Sequence, residues 1–177
     1  THMFASPLVL KKIGAYGVAS QKQLSSLKRI VSAGAPLSVE LLKQVKSILP
    51  KGGEIHTPYG ATECLPITDV KAEELIQLKE EGNTNLGVCV GRPLPEIDIQ
   101  IIEISDQPLP LFSDVKLLGE NEIGEIMVKG PVVSESYLDN AQANAKAKVL
   151  TSSGEVYHRM GDVGKKDAAG RIWFYGR

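Results

Sequence analysis

Two hydrophobic periodicities in one chain predict an α/β fold, a partial parallel α/β subdomain followed by an antiparallel β-barrel-like subdomain. Up to Pro66, short apolar runs alternate with a helical face. Beyond Gly82 the period falls to two, and Gly- and Pro-containing turns separate the runs. The length agrees: 177 residues with 42% hydrophobic content can bury the core of one large or two small domains.

The opening Thr1-His2-Met3 resembles a cloning scar, and the fold is expected to begin at Phe4. Residues 4–70 are expected to form the end of the α/β subdomain, and residues 71–177 a linker helix and the barrel-like subdomain ending at an interdomain hinge. The stretch PLVLKKIGAYG (7–17) reads as a helix. LKRIVSAG (27–34) is a short apolar run with β-branched residues and reads as a strand. In LSVELLKQVKSILP (37–50), Leu41, Leu42, Val45, Ile48 and Leu49 share one helical face. Ser38 suits the N-cap, Glu40 the first turn and Lys46 the negative end, and PKGG (50–53) terminates the helix. EIHTPYG (54–60) is extended again, and Pro66 is expected to stop regular structure. Two strands joined by a crossover helix should be parallel and right-handed, with ligands bound outside their carboxyl ends, where SAGAP (32–36) and TPYGATE (57–63) fall.

VKAEELIQLKEE (70–81) reads as a further helix. EIDIQI (96–101), GEIMVKG (124–130) and GRIWFYG (170–176) alternate and read as half-buried strands. The parity breaks where Ile101 and Ile102 are adjacent, which predicts a bulge or a strand end. GRPLP, QPLP, GENEIG and KDAAG supply the turns.

Charge and composition exclude several classes of function. Twenty basic against twenty-one acidic side chains leave a net charge of −1, without the electrostatic footprint of a nucleic-acid or anionic-membrane protein. No apolar run approaches a membrane span and no signal peptide opens the chain, so a soluble, cytoplasmic protein is expected. Cys64 and Cys89 lack metal-ligand spacing and read as reduced, buried thiols. His56 and His158 have no second ligand at metal spacing and read as structural. Ser32, Ser134 and Ser136 lie outside any G-x-S-x-G elbow.

Three glycine-bearing stretches remain. Small side chains at Ala33, Gly34 and Ala35 would let a flat base lie against the backbone, and Tyr59 could close the other face. Within YGATE (59–63), Gly60 precedes Thr62, which can donate to a phosphate, and Glu63, whose hard oxygens suit Mg²⁺. Asp162 in YHRMGD (157–162) could accept both hydroxyls of a ribose, with the Arg177 guanidinium beside it. Together they outline a magnesium-nucleotide site. Taken singly, each has a structural reading: SAGAP as a strand end before a proline-led helix, YGATE as a turn and N-cap, and RMGDVG as a hairpin bend in which Asp162 caps amides.

The order SAGAPLS, YGATE, GRPLP, GEIMVKGP, YHRMGD, GRIWFYGR, running from about Leu27 to Arg177, resembles the back half of the large domain of AMP-forming adenylate synthetases. That superfamily includes acyl-CoA synthetases, firefly luciferase and nonribosomal adenylation domains. The resemblance implies that Ala33, Gly34 and Ala35 run along the adenine, that Tyr59 packs on the base and that Thr62 touches the α-phosphate. It also implies that Glu63 holds Mg²⁺, that Asp162 binds the ribose hydroxyls and that Arg177 assists it. Thr62 and Glu63 are the expected catalytic residues. One departure is Thr57, which stands where the family commonly has asparagine.

The implied reaction is ATP-dependent activation of a fatty carboxylic acid as its acyl-adenylate. TPYGATECLP, GVCVGRP and AKAKVL look most like the branch that closes β-hydroxy acids to β-lactones in olefin synthesis. A thioester-forming fatty-acyl-CoA ligase, which would add coenzyme A as a cofactor, is the alternative. A lysine-bearing phosphate loop is not found between Phe4 and Ser32, nor a C-terminal lysine domain after Arg177. The expected partners therefore include the missing N-terminal and C-terminal parts of a parent enzyme, and the chain alone is expected to be inactive. A rival of another class is a non-catalytic nucleotide-binding or protein-interaction module on the same fold.

Overall fold

The run Arg29–Val31, with two β-branched residues, forms the middle strand of a three-stranded sheet ordered β1 (His2–Phe4), β2 (Arg29–Val31), β3 (Glu54–His56). Both pairings are parallel, and Ile30 sits opposite Ile55. The computed structural model describes residues 1–82 and 87–177. His2 and Met3, set aside in the sequence reading, belong to β1: the segment pairs with β2, and the Thr1 amino group donates to the Ser26 carbonyl at 2.8 Å.

Helix α1 (Pro7–Ala19) starts with a proline at its first position, where the missing N–H costs nothing. Helix α2 (Val39–Lys46) is capped by Ser38, whose side chain accepts from the Leu41 amide at 3.2 Å, with Glu40 in the first turn and Lys43 and Lys46 in the last. It ends earlier than its apolar face: Ile48 and Leu49 continue in tightened turns, bonding to the Val45 and Lys46 carbonyls, and stay buried. Helix α3 (Ala72–Glu80) runs beside α2, and Lys43–Glu80 and Lys79–Glu40 ion pairs at 2.6 and 2.8 Å link them. The core of this layer is Leu10, Ile30, Leu42, Val45, Ile55 and Ala72.

The chain divides into two compact units, Thr1–Tyr59 with Asp69–Asn85, and Gly60–Thr68 with Leu86–Arg177. The expected single extended segment 54–60 is two strands in different sheets, β3 and β4 (Tyr59–Ala61), separated by Thr57-Pro58. Pro58, between them, has no amide to donate to either ladder. Pro66, expected to stop regular structure, instead lies within β5 (Cys64–Asp69). One missing donor leaves the other residues of the strand able to pair.

The second unit is built on an eight-stranded sheet ordered β4, β5, β6 (Val88–Pro93), β11 (Ile172–Gly176), β10 (Val156–Lys166), β8 (Gly124–Lys129), β7 (Asp98–Ile102), with β9 (Lys148–Leu150) paired to β10. The pairings from β6 to β7 and that of β9 are antiparallel. The sheet is open: among the described residues β4 and β7 end it, and no barrel closes. Helix α4 (Ala141–Ala147) is capped by Asn140 and leads into β9.

Two strand expectations need correction. GEIMVK is not half-buried: Glu125, Ile126, Met127 and Val128 are all buried, so both faces of β8 are covered, one of them where Met127 packs against Ile102, Val149 and Tyr157. At Ile101-Ile102 the β7–β8 register is unbroken and β7 ends at Ile102, so the parity break marks the strand end and no bulge. Ile102 packs instead in a satellite cluster with Met127, Val149 and Tyr157. Among the described residues, no helix is long and apolar enough to cross a membrane.

Candidate nucleotide site

In the first unit, Ala33, Gly34 and Ala35 leave the carboxyl end of β2 as an irregular segment, with Gly34 and Ala35 exposed and Gly34 at a φ of +97°. The Ser32 amide before them donates to the His56 carbonyl at 2.9 Å, anchoring the strand end to β3. Tyr59 follows β3 by three residues and is half-buried. The Thr57 hydroxyl donates to the Val70 carbonyl at 3.2 Å, so this departure from the family asparagine is tied to backbone. His56, read as structural, has two acids beside it that spacing did not reveal. Its Nδ1 meets Asp69 Oδ2 at 2.5 Å and its Nε2 lies 3.4 Å from Glu54 Oε2.

In the second unit, Thr62 and Glu63 form the two-residue turn between β4 and β5. Gly60 is required there, since a Cβ would come within 2.3 Å of the Cys64 carbonyl oxygen. Thr62 is exposed and Glu63 half-buried. The Glu63 carbonyl accepts from the Ser134 amide at 2.8 Å, and its Oε1 accepts from the Tyr137 hydroxyl at 2.8 Å. The hydrogen bond from Tyr137 is the chief reason the Glu63 carboxyl titrates below the usual carboxylate range. Burial, then Glu63 itself, pushes the Tyr137 hydroxyl up to about 12.

A group that sequence reasoning missed surrounds this pair. Lys148 donates to the Ser134 carbonyl and hydroxyl and lies 5.3 Å from the centre of the Tyr137 ring. Asn144 clamps the Tyr137 backbone, accepting from its amide at 2.6 Å and donating to its carbonyl at 2.9 Å. His158 stands edge-on to the Tyr137 ring at 6.3 Å, and burial followed by Lys148 lowers its pKa to about 4. Its Nδ1 is buried with no hydrogen-bond partner. At neutral pH the group holds an ionised carboxylate, a protonated phenol and a neutral imidazole.

Asp162 is buried in β10, and its Oδ1 accepts from Arg177 Nε at 2.9 Å, so the structure brings together these two sequence-selected residues. Glu63, Tyr137, His158, Gly161 and Arg177 line one open cavity of about 580 Å³ in this unit. Ala33, Gly34, Ala35 and Tyr59 belong to the first unit, and Gly60, Thr62, Glu63, Asp162 and Arg177 to the second.

The model of the AMP-binding enzyme family matches residues 1–138. The chain belongs to this family. Olefin beta-lactone synthetase from Stenotrophomonas maltophilia is 39% identical over all of the chain, which covers 32% of that protein. A long-chain-fatty-acid–CoA ligase from Thermus thermophilus is 27% identical over 94% of the chain and 28% of its own length. The chain thus spans about a third of the length of these curated relatives. Among solved structures, O-succinylbenzoate coenzyme A synthetase from Bacillus subtilis in complex with AMP is 25% identical with a TM-score of 0.74, covering all of the chain and 31% of that protein. The family is thereby the one that the motif order resembles.

Proposed function

We propose that this chain supplies adenosine- and magnesium-holding parts of an ATP-dependent, AMP-forming enzyme that activates a fatty carboxylic acid, with a β-hydroxy acid as the favoured substrate. The observation that carries the reading is the buried Asp162 held by Arg177, a residue that lines the same cavity as Glu63. In this reading the buried Asp162 accepts the ribose hydroxyls and Arg177 holds its carboxylate in place. Thr62, exposed on its turn, donates to the α-phosphate, and Glu63 offers the metal an ionised oxygen. Ala33, Gly34, Ala35 and Tyr59 of the first unit are assigned to an adenine base by the family resemblance alone.

The donor set fits magnesium. No group of three His, Cys, Asp or Glu among the described residues could hold a metal by itself. Magnesium commonly uses one or two carboxylates and completes its shell with phosphate oxygens and water, which is what Glu63 beside a nucleotide would provide. Held there, the ion would supply positive charge to offset that of the phosphates while a substrate carboxylate displaced pyrophosphate from the α-phosphorus.

The greater identity to a beta-lactone synthetase than to an acyl-CoA ligase favours intramolecular closure over thioester formation. A β-hydroxyl tethered to the activated carbonyl benefits from an effective molarity that a separate thiol lacks. The test is mass spectrometry of the full-length protein with Mg²⁺, ATP and either a long-chain β-hydroxy acid or the plain acid, each with and without coenzyme A. A β-lactone with AMP from the hydroxy acid, without coenzyme A, is expected. A thioester from the plain acid and no lactone would make acyl-CoA ligase the better reading, and coenzyme A would then be a substrate.

A further inference from the structure

Glu125 sits in the buried strand β8, where a carboxylate is costly unless it is paired. Both its oxygens are used, and both reach the same short stretch of β10. Oε2 accepts from Arg159 Nε at 3.1 Å and Nη2 at 2.6 Å, and Oε1 accepts from the Gly161 amide at 3.2 Å. That stretch is irregular. The register runs Arg159 opposite Met127 and then Val163 opposite Glu125, so Met160, Gly161 and Asp162 stand opposite Ile126 alone. Gly161 takes a φ of +65°, a region glycine enters freely. Bulges of this kind re-aim side chains and are common beside active sites.

Arg159 extends the anchorage. Its Nη1 donates to the Gln107 and Lys146 carbonyls at 3.0 and 3.2 Å, and its Nη2 also donates to the Ser105 carbonyl. The bulge is therefore fixed to β8, to the loop after β7 and to the end of α4. Glu125 and Arg159 are each under a tenth exposed, as is Asp162.

We propose that Glu125, through the Gly161 amide and Arg159, is a positioning residue that holds the bulge so that Asp162 is presented for a nucleotide sugar. This rests on the reading of Asp162 as the ribose acceptor. A buried ion pair is weak evidence of stabilisation by itself. Here the second carboxylate oxygen binds the amide next to Asp162, a contact that an ion pair serving only packing does not need.

The test compares AMP with 2′,3′-dideoxy-AMP, which lacks both sugar hydroxyls, by calorimetric titration of the chain. The unmodified chain is expected to prefer AMP by roughly tenfold, the range of a charged hydrogen bond. Glu125→Gln keeps the volume but turns an amide NH₂ toward either Arg159 or Gly161. It is expected to lose most of that preference while its affinity for the dideoxy nucleotide is unchanged, and adding Asp162→Ala should remove only the small remainder. If the glutamine variant does not fold, Arg159→Lys, which keeps the charge and loses the fork, carries the same comparison. An intact AMP preference in the variant, or equal weakening of both nucleotides, overturns the positioning role. Equal binding of both nucleotides by the unmodified chain instead overturns the ribose reading of Asp162, and the inference with it.

Discussion

The Tyr137 hydroxyl donates to Glu63 Oε1 at 2.8 Å, joining residues 74 positions apart in sequence. The contact occupies one carboxylate oxygen and favours the ionised form, so the turn carries a fixed negative charge. Removing the hydroxyl with Tyr137→Phe is expected to raise the Glu63 pKa toward the ordinary glutamate range, since this bond is the leading cause of its depression. A carbon-13 titration of the Glu63 carboxyl reads this directly. The sign for stability follows: the contribution is present above the ordinary glutamate pKa and is lost as pH falls through the lowered one.

His158 predicts a pH dependence of its own. Its folded pKa of about 4 lies below the usual 6.5, so the unfolded chain binds this proton more readily between those values. Stability should be complete above about pH 6.5 and decline as pH falls toward 4, by roughly 1 to 3 kcal/mol from this residue. Denaturant midpoints of the unmodified chain and of His158→Phe across that window check it, with the variant giving the shallower slope.

Cys64 is fully buried, and burial pushes its thiol up to about 11. Because the thiolate is the reactive form, the native chain at pH 8 should resist iodoacetamide at Cys64 and react once unfolded. Peptide mass mapping under both conditions distinguishes the outcomes.

Ser38→Ala is expected to cost about 1 kcal/mol through the lost cap on α2. Urea denaturation measures it. A change near zero would mean that the exposed amide of Leu41 is equally well served by water.

This cap was legible in the sequence because helix ends are set by residues three or four apart. The parallel β2–β3 pair was legible for a similar reason, as a β-branched run on either side of an amphipathic helix. Asp162 and Arg177 were found by motif order, and their mutual hydrogen bond by the structure. Glu125, Tyr137 and Lys148 gave no local signal. Glu125 reads as one polar position in an alternating strand, and its role depends on Arg159, 34 residues away. Tyr137 depends on a turn 74 residues earlier. The division of residues 54–61 between two sheets was hidden because Thr57-Pro58 looks like extended chain from either side.

The central claim is that Asp162 recognises the sugar of an adenine nucleotide, and the most direct measurement is calorimetric titration of AMP into the chain and its Asp162→Ala variant. Loss of a charged acceptor should cost about 1.5 to 3 kcal/mol, a fall in affinity of roughly tenfold or more. Equal affinities for AMP in two equally folded proteins would contradict the account and remove Asp162 from the site.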